Sequence, residues 1–378
     1  MKRFHRSKAY CQHPMPIAYT EEYRDAQLVA PLIDRIRTRS RKPIRIMEVC
    51  GTHTVSIFRS GIRSLLPKTI TLLSGPGCPV CVTAQGDIDA CIALASLPDV
   101  ILTTFGDLMR VPGSRSSLRQ KKAEGCDIRI VYSSMDALDL AAANPGRHVI
   151  FIGIGFETTA PTVAAALATA KARSIENFFV YSVHKTVPQA LEALVEDPAT
   201  RIDGFLLPGH VSVITGLDAY RPFLSSRRVP CVVAGFEPVD ILTAIELLVD
   251  QIESGRAELE NAYPRAVTET GNTKAKAMME LVFQPVDAVW RGLGTIPRSG
   301  LGIRPAFRCH DAQVVFHPDP GNIQEPAACA CGDILKGIQS PPECKLYGTA
   351  CTPAHPVGPC MVSSEGTCAA YYRYHPGA

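Results

Sequence analysis

From residue 42 onward, short apolar runs rich in β-branched residues alternate with longer stretches whose apolar positions recur at helical spacing. The runs at 44–49, 69–73, 100–104, 128–132, 149–153, 178–182, 204–207 and 231–234 predict strands, and 87–97, 162–173 and 239–253 predict helices between them. Strand–helix alternation of this kind predicts parallel sheets. Ahead of it, residues 1–40 carry no strand signal, and the amphipathic stretch 21–37 predicts a helix. Beyond 255 the periodicity fades into loop-rich chain with frequent proline and glycine, among them Pro297, Gly300, Gly302, Pro305, Pro318 and Gly321.

Asn144-Pro145-Gly146 interrupts the alternation and predicts a boundary. The expected organisation is a helical segment at 1–40 packed on the C-terminal domain, α/β domains at 41–146 and 147–255, and a C-terminal domain at 256–378. Three matches at nearly one offset suggest that the α/β domains are related. His53-Thr54 resembles His184-Lys185-Thr186, the stretch from Pro76 to Thr83 resembles that from Pro208 to Thr215, and Phe105-Gly106-Asp107 resembles Phe236-Glu237-Pro238. Each lies just beyond a predicted strand, so the matching loops are expected to face one cleft.

At 378 residues, 46% hydrophobic and 20% charged, the chain has the composition of a folded protein. A net charge of +3 argues neither for nucleic acid nor for an anionic membrane surface. No apolar run approaches the roughly 20 residues that span a bilayer. The basic start leads into Cys11, His13 and Pro14 without an apolar signal region, so a cytoplasmic location is expected.

Cysteine changes the picture. Six of the 14 fall within 329–368. In a long chain without a secretory signature, clustered thiols point to metal or redox chemistry rather than to a disulfide scaffold. In Glu48-Val49-Cys50-Gly51-Thr52-His53, Cys50 ends a strand and Gly51 turns the chain into a helix. A helix N-terminus is expected to lower the thiol pKa, with His53 in reach as a proton acceptor or donor. In Gly75-Pro76-Gly77-Cys78-Pro79-Val80-Cys81, a Cys-x-x-Cys pair opens a helix with Pro79 at its first position, the arrangement of a redox or metal-binding dithiol. A zinc half-site competes, but no second C-x2-C completes it. The last four tail cysteines, Cys344, Cys351, Cys360 and Cys368, are 7, 9 and 8 positions apart. That spacing favours an iron–sulfur cluster held by loops over the close pairs typical of zinc. There is no GxxxxGK[ST] and no C-x3-C-x2-C, and Gly153-Ile154-Gly155 lacks the third glycine of a dinucleotide fingerprint.

The stretches from Met47 to His53, Gly75 to Cys81, Gly155-Phe156-Glu157-Thr158-Thr159-Ala160-Pro161, Cys351-Thr352-Pro353 and Gly358 to Cys368 resemble, in the same order, those of the HypD family of [NiFe]-hydrogenase maturation proteins. The resemblance implies two related parallel-sheet α/β domains plus a cysteine-rich, loop-rich iron–sulfur domain. It implies a scaffold that works with the small partner HypC to assemble an Fe(CN)2CO unit. Cyanide comes from HypE, and the finished unit passes to the hydrogenase large subunit. Carried over, Cys50, Cys78 and Cys81 bind iron and do thiol redox chemistry. A [4Fe-4S] cluster takes Cys344, Cys351, Cys360 and Cys368, with Cys331 the first substitute and Cys329 a further one.

Thiolates suit soft low-spin iron, and cyanide nitrogens accept hydrogen bonds, so donors are expected around it. His53, His184, Lys185 and His210 are candidates, and Glu157 is a candidate acid/base or partner-binding group with helix capping as its alternative. Two rivals remain. A dithiol oxidoreductase like ferredoxin–thioredoxin reductase would need no third thiol at Cys50, and a structural zinc protein would hold zinc without iron or sulfide.

Overall fold

The apolar runs fold as strands because their residues can be buried on both faces: Ile46, Met47, Ile101, Leu102, Ile150 and Phe151 are all fully shielded from solvent. The computed structural model describes residues 22–374. Its strands are β1 (Ile44–Glu48), β2 (Ile70–Ser74), β3 (Val100–Thr104), β4 (Ile128–Ile130), β5 (His148–Gly153), β6 (Phe178–Ser182), β7 (Gly204–Pro208), β8 (Cys231–Ala234), β9 (Leu259–Asn261), β10 (Phe283–Trp290) and β11 (Gly294–Ile303).

Two parallel sheets result. The first runs β2-β1-β7-β8-β9 and the second β4-β3-β5-β6. The α/β class is as expected, but the sheets do not divide at residue 146. β3 to β6 form a unit placed between β2 and β7, after which the chain returns to pair β7 with β1. Asn144-Pro145-Gly146 lies inside that unit, between the helix Ser134–Ala143 and β5.

The likeness of the two sheets lies in their strand order. Counted within each sheet, the first reads 2-1-3-4-5 and the second 2-1-3-4. This pairs β1 with β3 and β8 with β6, not β1 with β6 as the sequence offset implied. In such sheets ligands bind beyond the carboxyl ends of the strands, where the strand order reverses. Here that point lies between β1 and β7, and between β3 and β5.

The helix Ala26–Arg39 carries the predicted amphipathic stretch from residue 26 on. Leu32, Ile33 and Ile36 join the core formed by β1, β7, β8 and the helix Pro238–Ser254. Arg35 pairs with Glu246 of that helix at 2.6 Å. This segment therefore packs on the first sheet rather than on the C-terminal part. Residues 1–21 of the expected 1–40 segment lie outside the described residues.

The expected C-terminal domain is also shared out. β9 closes the edge of the first sheet, and the helix Thr273–Val282 packs on Ala160–Ala172 beside the second. β10 and β11 form an antiparallel hairpin in chain read as loop. Gly300 and Gly302 are required there, since a Cβ on either would come within 2.8 Å or less of Ala288 or Val286 across the hairpin. Among the described residues, no helix is long and apolar enough to cross a membrane.

Candidate metal and redox centre

Cys50 follows β1 as the N-cap of the helix Gly51–Arg59, and Cys78 follows β2 as the N-cap of the short helix Pro79–Val82. Adjacent parallel strands thus bring both cysteine turns to the same end of the first sheet. The loops interlock: Gly51 N donates to Gly77 O at 3.0 Å, and Gly75 N to Glu48 O at 2.8 Å. Gly77 touches Cys50 so closely that a Cβ there would overlap the Cys50 N and Cα and lie 2.6 Å from its carbonyl carbon. Across the β1–β7 crevice, His210 places Nε2 3.8 Å from the Cys50 sulfur and stacks on Phe236.

Cys50 is 2% exposed, and burial pushes its thiol up to about 12. The backbone N–H of His53, the Glu365 charge (which raises the pKa further), and the N–H and hydroxyl of Thr52 act in smaller measure. The helix N-terminus therefore does not produce the lowered pKa expected from position alone, because desolvation outweighs it. His53 does not serve the thiol through its ring. Its Nε2–H donates to Gly235 O at 2.9 Å, Nδ1 has no partner among the described residues, and burial lowers its pKa to about 4.

Cys78 and Cys81 form a disulfide with Cα atoms 5.2 Å apart. Among the described residues, no three or more His, Cys, Asp or Glu side chains converge on a single ion. With this disulfide closed, two of the three expected iron ligands hold each other. On its other side, Cys81 places Sγ 3.9 Å from Pro359 O, next to Cys360.

The tail is strapped over both sheets. Thr52 donates to Glu365 Oε1 at 2.6 Å, and a Cβ on Gly51 would collide with the Glu365 carbonyl. Ser363 donates to Asp107 at 2.9 Å, and Arg110 to Val362 O at 2.9 Å, both beyond β3. These contacts seat one apolar cavity lined by Cys329, Cys331, Cys344, Cys351, Cys360 and Cys368 together with Ile334, Leu346 and Met361. Each iron of a four-iron cluster takes one cysteine, so thiols ringed around a cavity fit that group better than a tetrahedral zinc ion, whose ligands must meet at one point. The Cys331 and Cys360 sulfurs lie 2.8 Å apart and face each other.

The remaining candidates lie elsewhere. His184 is bonded to Ser182 at 3.1 Å and packed on Gly153 and Phe283; burial lowers its pKa to about 3. Lys185 pairs with Asp87 at 3.5 Å while almost fully buried. Neither has a hydrogen bond or ion pair with the cysteine turns. Glu157 Oε1 accepts the Val187 N–H at 3.0 Å, so it caps the helix Val187–Glu196 rather than the one that follows it in sequence. Burial raises its pKa to about 7, and Oε2 has no partner among the described residues. Sequence reasoning passed over Glu48, Thr52 and Glu365. Glu48 is fully buried, accepts from Ser74 at 2.6 Å and Thr54 at 2.9 Å, and is raised by burial to about 8.

A family model described as HypD, "Hydrogenase formation hypA family", matches residues 27–375. The chain belongs to the HypD family. It is 46% identical to the hydrogenase maturation factor HypD of Rhodobacter capsulatus, covering 94% of this chain and 98% of that protein. The Escherichia coli factor of that name is 46% identical, with 94% and 98% covered. For that of Azotobacter vinelandii the identity is 47%, with 94% and 96% covered. In this chain Cys50 and Cys78 stand at the strand ends of the first sheet, and six tail cysteines line the cavity beside Cys81.

Proposed function

We propose that this chain acts in hydrogenase maturation as the scaffold, with HypC, on which an Fe(CN)2CO unit is assembled. Cyanide arrives through HypE, and the unit leaves for the hydrogenase large subunit. The observation that carries the reading is the interlock of the Cys50 turn with the Gly75–Cys81 loop, with Cys81 against the carbonyl of Pro359, the residue before Cys360. Two electrons and two protons from an external dithiol reductant, itself oxidised to a disulfide, open Cys78–Cys81 and free two thiols beside Cys50, giving a three-sulfur site for soft iron, with His210 as a donor toward a cyanide nitrogen.

Of the six cysteines around the tail cavity, Cys331 and Cys360 are free thiols whose sulfurs contact each other. That leaves Cys329, Cys344, Cys351 and Cys368 for a [4Fe-4S] cluster, in place of the set that includes Cys360. When bound, the cluster supplies single electrons. This chain's residues hold it out of water and keep Cys81 next to the cavity wall. The dithiol-reductase reading draws on that same proximity, but it leaves Cys50 and His210 without a task.

The test is infrared spectroscopy of the complex with HypC isolated without oxygen. Wild type is expected to show Fe–CN and Fe–CO bands, and Cys50→Ala to lose them while keeping the visible absorption of the cluster. Bands that persist in Cys50→Ala contradict the reading.

A further inference from the structure

Between the dithiol and the cysteine cavity lies one buried cation, Arg291, in the turn of the β10–β11 hairpin. Its backbone N–H donates to Val82 O at 2.8 Å. Its Nε donates to Thr83 O at 3.1 Å, and Nη1 and Nη2 both donate to Gln85 Oε1 at 3.2 Å. The guanidinium thus grips the chain that leaves the Cys78–Cys81 helix. On its other side it lines a pocket with Cys329, Cys331, Gly358 and Pro359. The neighbouring Gly292 sits against Gly332, where a Cβ would collide with the Gly332 backbone.

The charge is poorly balanced. Its side chain is 5% exposed, and its ion-pair partner is Glu325, 3.7 Å away and itself 60% exposed. Asp87, the other nearby acid, is already paired with Lys185. A guanidinium stays charged at every working pH, and one buried with a solvent-screened partner projects its field into the apolar side of its surroundings. That side holds Cys329 and Cys331, which line the same pocket as the guanidinium.

We propose that Arg291 is the positioning residue that sets the reduction potential of the cysteine-cavity cluster and couples it to the Cys78–Cys81 pair. The inference rests on the cluster reading above. One electron added to the cluster adds one negative charge, so a fixed cation nearby raises the potential. Its hydrogen bonds to Val82, Thr83 and Gln85 hold the dithiol helix against the same wall.

The experiment is an electron-spin-resonance redox titration of the full chain purified without oxygen, in wild type, Arg291→Gln, Arg291→Lys and Glu325→Gln. Arg291→Gln is expected to lower the reduced-to-oxidised ratio at fixed potential about tenfold, equivalent to about 59 mV for a one-electron couple. Arg291→Lys should restore most of that shift. Glu325→Gln, a change at an exposed side chain that threatens no fold, should shift the ratio the opposite way. A cluster whose potential is unmoved in Arg291→Gln and in Glu325→Gln overturns the inference alone, as does an equal shift in Arg291→Gln and Arg291→Lys. If Arg291→Gln does not fold, the direction of the Glu325→Gln shift decides. Wild type without iron and sulfide overturns the cluster reading itself.

Discussion

Replacing Gly77 with alanine is the sharpest perturbation of the Cys50 turn. The added Cβ would meet backbone atoms of Cys50, with the carbonyl carbon at 2.6 Å. No rotamer change relieves a backbone collision, so the two loops must separate. Overpacking of this kind costs about 1–3 kcal/mol. Losing the Gly51 N–H to Gly77 O bond of 3.0 Å adds about 1 kcal/mol. Together these give a destabilisation of about 2–4 kcal/mol, and with it a displacement of Cys50 from Cys78. Gly146→Ala is the control, because a Cβ there meets nothing within 4 Å and the backbone needs no left-handed conformation. It should be neutral or stabilise by about 0.4–1 kcal/mol. Thermal melts of both variants read the stability, and iron retained after anaerobic gel filtration reads the site. Gly77→Ala melting like Gly146→Ala with wild-type iron content would refute the reasoning.

Replacing both Cys78 and Cys81 with serine should leave the cluster's spectrum unchanged yet remove two of the three sulfurs that hold the low-spin iron, so that iron is lost; full maturation activity in that variant argues against both their ligand and their redox role. Glu157 has a folded-state pKa raised to about 7, so wild type should lose stability relative to Glu157→Gln as pH rises from about 4.5 to 7. Below that window both folded and unfolded forms are protonated and the difference vanishes; the limiting loss is about 3 kcal/mol, checked by denaturant melts across the range. Thr52→Val removes the bond to the Glu365 carboxylate at about 1.5–3 kcal/mol and should speed hydrogen exchange across residues 360–370. Metal analysis of protein purified without oxygen should find iron and sulfide; zinc alone would favour the structural-zinc reading.

The strands and the cysteine turns were legible because each is a local pattern: a buried β-branched run, then Gly-rich chain opening a helix. Which strands share a sheet was not. Nothing in 204–208 announces that β7 returns to β1 across more than a hundred residues, since pairing partners leave no periodicity behind. The division at Asn144-Pro145-Gly146 and the offset of the three matches failed for that reason. The β10–β11 hairpin was hidden by Pro285, Pro297 and its glycines, residues that usually punctuate loops. His210 stood in the sequence as one of four candidate donors, and the β1–β7 pairing is what brings it, and not His184 or Lys185, to Cys50. Glu365 sits in a motif read for its cysteines, and its contact with Thr52 spans 313 residues of chain.

The most direct test of a three-sulfur iron site at the first sheet's strand ends is Mössbauer iron counting on wild type and Cys50→Ala, both isolated with HypC in the absence of oxygen. Wild type should show one low-spin iron beyond the cluster's own, and Cys50→Ala the cluster's iron alone. Equal low-spin iron in both would contradict the account.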